Sequence, residues 1–134
     1  MAVACEESLE TIGLRWLVAV NRRDADALIA ISDPAIELRP TPIAGARRIY
    51  VGHDGLRDWL AELEASPISP QGRLREVRAL DSWRVLVRCD VLVDGEPSGP
   101  LTLVARMGQS RLIVEARSYL TDEAGLMELG MLEG

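Results

Sequence analysis

The 134-residue chain contains no lysine and no phenylalanine, a single histidine, His53, and two cysteines, Cys5 and Cys89. Each shortage excludes something. One histidine and two distant cysteines are too few soft ligands for a structural zinc site, which takes four Cys or His side chains. Two cysteines do not make a disulfide framework either, and Cys89 sits in an apolar run where a free thiol behaves as a small hydrophobe. No run of about 18 apolar residues is present, so no membrane-crossing helix is expected. The opening "MAVACEESLE" turns acidic by its sixth residue and has no apolar signal core, so a cytoplasmic protein is expected. There is no glycine-rich nucleotide loop and no metal-ligand cluster, so no cofactor is expected. The net charge is −6, and the fifteen basic residues, all arginine, form no basic run. Phosphate backbones are held by concentrated basic patches, so a nucleic-acid partner is not expected.

What is present describes one ordinary globular domain over residues 1–134: 48% hydrophobic and 27% charged residues, enough for a core and a pocket. In "EESLETIGLRWLVAVNRRD" the apolar Leu9, Ile12, Trp16, Leu17 and Val20 recur at three- and four-residue spacing, a helical stripe. Asp24 is placed to cap a second, short helix, "ADALIAI". "AIELRP" reads as a short strand, and "YVGHDGLRDWLAELEAS" as a third helix with Leu56, Trp59, Leu60 and Leu63 on its apolar side. The period then changes. "RLREVRAL", "WRVLVRCDVLV", "PLTLVARM" and "RLIVEARSYL" read as four strands joined by short turns, which favours antiparallel hairpins. "TDEAGLMELGMLEG" reads as a last helical turn or two. Segregated helices and strands predict an α+β domain: an antiparallel sheet with three helices over one face.

The strand "VLVRCDVLV", residues 85–93, carries the most chemistry. Side chains alternate across a strand, so Val85, Val87, Cys89, Val91 and Val93 share one face, and Leu86, Arg88, Asp90 and Leu92 the other. On a sheet packed on one side only, the apolar face meets the helices and the Arg88–Asp90 face meets water. The opposite orientation would put the charged pair in the interior, where the two groups would have to satisfy each other.

The order of elements and the stretches "RWLVAVNRRDADALIAI", "PAIELRP", "YVGHDGLRDWLAEL" and "ARSYLTDEA" resemble the nuclear-transport-factor-2-like superfamily, in particular its SnoaL-like branch. The resemblance covers almost the whole chain. It implies a cone-shaped curved sheet wrapped around the helices and enclosing an apolar pocket. It also implies a homodimer through the outer sheet face. One such scaffold hosts isomerases, cyclases, dehydratases, epoxide hydrolases and plain binding proteins, so it fixes no activity.

Residue by residue, the ketosteroid isomerases of this fold are a poor match. Trp16 stands where their tyrosine would be, Arg39 near their general base and Leu103 at their protonated aspartate. None of these can do the required proton chemistry. The limonene epoxide hydrolases are nearer. "VRCDVLV" resembles their Arg-x-Asp strand, which implies Asp90 as acid/base and Arg88 as its partner. Ser118 stands where their second carboxylate is expected, so Glu37, Glu76 or Glu115 would have to supply it.

This resemblance turns the strand over. It places Leu86, Arg88, Asp90 and Leu92 inside the cone. The Val85/Val87/Cys89/Val91 face then becomes the subunit contact. The implied pocket is lined by Trp16, Glu37, Arg39, Trp59, Leu86, Leu92, Leu103 and Ser118. His53, Asp54 and Asp58 read as helix-start residues. The expected ligand is a small apolar molecule. The readings left open are a cofactor-free acid/base enzyme of epoxide hydrolase, cyclase or hydratase type, a non-catalytic binding protein, and a degenerate-site dimerisation domain.

Overall fold

The structure, a computed structural model, describes residues 8–40 and 49–119. The elements run α1 (Leu9–Asn21), α2 (Ala25–Ala30), β1 (Ser32–Arg39), β2 (Tyr50–Val51), α3 (Gly52–Ala65), β3 (Gln71–Ala79), β4 (Arg84–Val93), β5 (Glu96–Met107) and β6 (Ile113–Tyr119). The helical turn expected at the C-terminus lies outside the described residues.

Local chemistry sets the boundaries. The Ser8 hydroxyl accepts from the Thr11 amide at 3.1 Å and starts α1. The Asp24 carboxylate accepts from the Ala27 amide at 3.1 Å and starts α2, as expected of a residue that supplies an oxygen to an unpaired first-turn N–H. Between β4 and β5, Asp94 (φ 53°) and Gly95 (φ 80°) are both in the left-handed region. Two such residues in succession make the tight hairpin turn whose twist matches its strands. The joint is therefore two residues long, and β5 reaches back to Glu96, beyond the expected start at Pro100. Pro97 fits because the register shifts between Val91 and Leu92, where a bulge interrupts the ladder.

The six strands form one sheet in the order β2-β1-β6-β5-β4-β3. It is mixed: β1 pairs parallel with β6, while every other pair is antiparallel. That corrects the all-antiparallel expectation. The crossover from β1 passes through α3 and the whole β3–β6 meander before the chain returns alongside β1. Such long-range pairing leaves no mark in local periodicity. The two-residue β2 was likewise absorbed into the expected third helix, since Tyr50 and Val51 directly precede it.

The helices cover one face. Leu9, Ile12, Gly13, Trp16 and Ala19 are the buried residues of α1. They pack with Leu28, Ile36, Leu38, Leu56 and Leu60 against Val85, Val87, Leu103, Ala105 and Ala116 of the sheet. Gly13 marks the closest approach: a Cβ there would lie 3.0 Å from a Val87 methyl and 3.2 Å from methyls of Val77 and Val85.

Candidate functional site

Between the helices and the sheet lies a cavity of about 100 Å³. Its helical wall comes from Trp16, Leu17, Val20 and Asn21 of α1 with Trp59 and Leu63 of α3. Its sheet wall comes from Val87, Cys89 and Val91 of β4, Leu101 and Leu103 of β5, and Ser118 of β6. Trp16 and Trp59 face each other with ring centroids 6.3 Å apart and planes tilted by 32°, a favourable offset aromatic pair. Among the described residues the lining holds no carboxylate, no histidine and no arginine. Its polar side chains are the Ser118 hydroxyl, the two indole N–H groups, Asn21 and Gln71.

Asn21 is committed to structure. Its Oδ1 accepts from the Gly72 amide and its Nδ2 donates to the Gly72 carbonyl, both at 2.8 Å. Gln71 Nε2 donates to the Asn21 carbonyl at 3.1 Å. Arg23 adds a donation to the Pro70 carbonyl at 2.7 Å. These bonds bolt the end of α1 to the start of β3 and hold that side of the cavity in place. Gly72 fits under them because a Cβ would come within 2.9 Å of Leu17 Cδ1 and 3.2 Å of Cys89 Sγ.

Cys89 lies on the cavity wall and is buried. Burial, and after it the adjacent Asp90 carboxylate, pushes its thiol up to about 11. The nucleophile is the thiolate, so this thiol is inert at neutral pH. At pH 8, in a Cys5→Ser background, its alkylation by iodoacetamide should run roughly a hundred-fold slower in the folded protein than in the urea-unfolded chain. Equal rates would show that the thiol is not on a dry wall. Stability should be independent of this group below pH 9.0 and fall as the pH rises toward about 11, because there the unfolded chain releases a proton that the folded one keeps.

The expected site divides. Trp16, Trp59, Leu103 and Ser118 do line the cavity. Arg88, Asp90, Leu86, Leu92, Glu37 and Arg39 do not, and their placement is corrected here. Because Val87, Cys89 and Val91 face the cavity, the alternate residues Arg88 and Asp90 point away from the helices. There Asp90 pairs with Arg73 at 3.2 Å and with Arg75 at 3.6 Å, and Arg88 approaches Glu76 at 3.6 Å. Glu37 and Arg39 stand in register with Glu115 and Arg117 on the same outer face, 3.3 Å from each other. Leu86 is fully buried on that face beside Arg78 and Val104 of the flanking strands, and Leu92 pairs with Gln71 and Pro97. Neither Glu76 nor Glu115 reaches the cavity, so neither supplies a second carboxylate there.

The subunit contact expected at Val85, Val87, Cys89 and Val91 is corrected as well. All four side chains are buried within the chain itself, Val91 being the most exposed at 8%. His53, at the start of α3, donates from Nε2 to the Ser32 carbonyl at 3.0 Å, away from the cavity. Among the described residues no group of three or more His, Cys, Asp or Glu side chains is placed to hold a metal ion. No helix among them is long and apolar enough to cross a membrane.

The cavity residues missed from the sequence are Leu17, Val20, Asn21, Leu38, Leu63, Pro70, Gln71, Gly72, Val87, Cys89, Val91 and Leu101. For Cys89 and Val91 the signal was present: the wholly apolar side of β4 is the side that meets the helices.

The architecture is that of a cone-shaped α+β fold with helices over one face of a curved sheet, and solved structures share that fold. An NTF2-like protein of unknown function from Cytophaga hutchinsonii superposes with a TM-score of 0.66 at 10% identity, over 93% of this chain and 99% of its own. A SnoaL-like protein of unknown function from Burkholderia thailandensis gives 0.63 at 17% identity, over 85% and 94%. A protein with a ketosteroid isomerase-like fold from Catenulispora acidiphila, solved in complex with trimethylamine, gives 0.65 at 17% identity, over 90% and 92%. The chain therefore carries the nuclear-transport-factor-2-like fold. No protein-family model matches the sequence, and no curated protein does.

Proposed function

We propose that the chain is a binding protein for a small, uncharged, largely apolar molecule held in the cavity between α1, α3 and the inner sheet face. One observation carries this reading: among the described residues, the lining offers two tryptophans, aliphatic side chains, the Cys89 thiol, one serine and the structurally bonded Asn21 and Gln71, and no group that titrates near neutral pH. General acid–base chemistry needs such a group within hydrogen-bond reach of the reacting atoms. Asp90, the strongest acid/base candidate in the sequence, is separated from the cavity by the thickness of the sheet. A charged ligand would lose its hydration there without a counter-charge, which costs several kcal/mol. A mostly apolar pocket with one hydroxyl for orientation suits a neutral molecule instead.

The test is a titration of the full chain with 2-naphthol, a neutral two-ring probe, followed by quenching of tryptophan fluorescence. Saturable binding is expected. Asp90→Asn and Arg88→Gln should leave the affinity within about two-fold, whereas Leu103→Arg, which places a charge on the cavity wall, should weaken it at least roughly ten-fold. No saturation up to the solubility limit would refute the pocket. Loss of binding in Asp90→Asn would return that residue to the site.

A further inference from the structure

The outer face of the sheet gathers arginines that lie far apart in the sequence. Eight of them, from Arg39 on β1 to Arg117 on β6, share this face with four carboxylates, Glu37, Glu76, Asp90 and Glu115, in a chain whose net charge is −6. Three carboxylates are each shared by two arginines: Asp90 by Arg73 and Arg75, Glu76 by Arg78 and Arg88, and Glu115 by Arg106 and Arg117. Each such trio carries one surplus positive charge.

At the Glu115 trio the surface is also concave. A depression of about 150 Å³ is lined by Arg84, Val104, Arg106, Glu115, Arg117 and Tyr119. The register explains the convergence. Arg84 stands directly opposite Arg106 across β4–β5, Arg106 opposite Glu115 across β5–β6, and Val104 opposite Arg117. Two arginines facing each other across adjacent strands repel, so this arrangement gains nothing by itself.

We propose that this depression is a binding site for a doubly charged oxyanion of the phosphate-monoester class. Three guanidinium groups and one carboxylate line it, and Asp81 offsets the Arg84 charge from outside, so a surplus of one positive charge remains beside three donor forks that a group with three terminal oxygens can engage together and a two-oxygen carboxylate cannot. Glu115 occupies only part of their donor capacity. Its Oε2 takes Arg117 Nε at 3.1 Å and Nη2 at 2.9 Å, Arg117 also hydrogen-bonds the Tyr119 hydroxyl, and Arg106 Nε stands 3.6 Å from Glu115 Oε1. Arg84 directs its Nε to Asp81 Oδ2 at 2.8 Å, outside the depression. Each guanidinium has five N–H donors in a planar fork, the geometry that suits phosphate oxygens. Glu115 then acts as the group that holds two of the forks in position. The Val104 side chain and the Tyr119 ring supply an apolar floor, which suits the organic part of an ester and gives inorganic phosphate no added contact. The site lies on the opposite face from the cavity and does not depend on the function proposed for it.

Titration of the full chain at low ionic strength with inorganic phosphate, phenyl phosphate and acetate, followed by calorimetry, tests the assignment. One-to-one binding in roughly the millimolar range is expected for both phosphates, tighter for the ester, with acetate weaker by about ten-fold or more. Equal affinity of inorganic and phenyl phosphate would remove the ester and leave a free-anion site. Arg106→Gln and Arg117→Gln should each weaken phosphate binding about ten-fold while leaving the circular dichroism spectrum and the denaturant midpoint unchanged, which verifies their fold. Arg73→Gln, in a different trio, should change nothing. An equal loss in Arg73→Gln, acetate binding as tight as phosphate, or no saturation by about 20 mM would each overturn the proposal, the first by reducing it to unspecific charge.

Discussion

Replacing Trp16 with alanine is expected to cost about 3–5 kcal/mol of stability and to weaken 2-naphthol binding at least roughly ten-fold. The residue serves two roles at once. Its ring is 2% exposed in the centre of α1, packed among the core residues of both layers, so truncation opens a void that the neighbouring elements cannot collapse to fill. It is also half of the Trp16–Trp59 pair on the cavity wall. Denaturant unfolding combined with fluorescence titration separates the two effects. Trp59 is only partly buried and packs against the core rather than within it, so Trp59→Ala should cost less stability but a comparable share of binding. If Trp16→Ala unfolds at the wild-type denaturant concentration, the cavity is not where this structure puts it.

The second large effect is expected at Gly13. Glycine in the middle of a helix is unfavourable by about 1 kcal/mol relative to alanine, so its presence needs a local reason. The reason is distance: α1 crosses the sheet so closely that a Cβ at this position already touches three valines. Gly13→Leu forces four extra heavy atoms into that contact and should cost about 3 kcal/mol, or prevent folding altogether. Gly13→Ala is the informative control. Its helix-propensity gain of about 1 kcal/mol works against a contact at 3.0–3.2 Å, so a near-neutral change is expected. A stable, natively folded Gly13→Leu protein would mean that α1 and β4 are not in this contact.

Much of the architecture was legible. Three amphipathic stretches became α1, α2 and α3, and four alternating runs became β3 to β6. The Asp24 cap stood where a short polar side chain before an apolar stripe places one. What escaped was non-local. Nothing near residues 32–39 announces a parallel partner beyond residue 113, because the pairing depends on where the chain returns after α3 and the meander.

The candidate site shows how a strand can mislead. Elementary packing reasoning put the apolar face of β4 against the helices, and the structure agrees. The comparison of Arg88-x-Asp90 with an Arg-x-Asp strand of known epoxide hydrolases put the same face outside. Side chains alternate with a period of two, so a one-residue slip in such a comparison exchanges the two faces of the entire strand. Ser118, Leu103, Trp16 and Trp59 survived because they sit on other elements and do not inherit that slip.

The sequence by itself determined most of the described elements, their α+β character and the division of residues 85–93 into an apolar and a charged face, since each of these follows from periodicity within one segment. Only the tertiary structure decided which face looks inward, because that depends on which side of the sheet α1 and α3 pack. The arginines make the same point. In the sequence they are scattered and forbid a basic patch. Alternation along β3 to β6 and the register between those strands bring them onto one surface, since strand pairing sums over segments that the linear chain keeps apart.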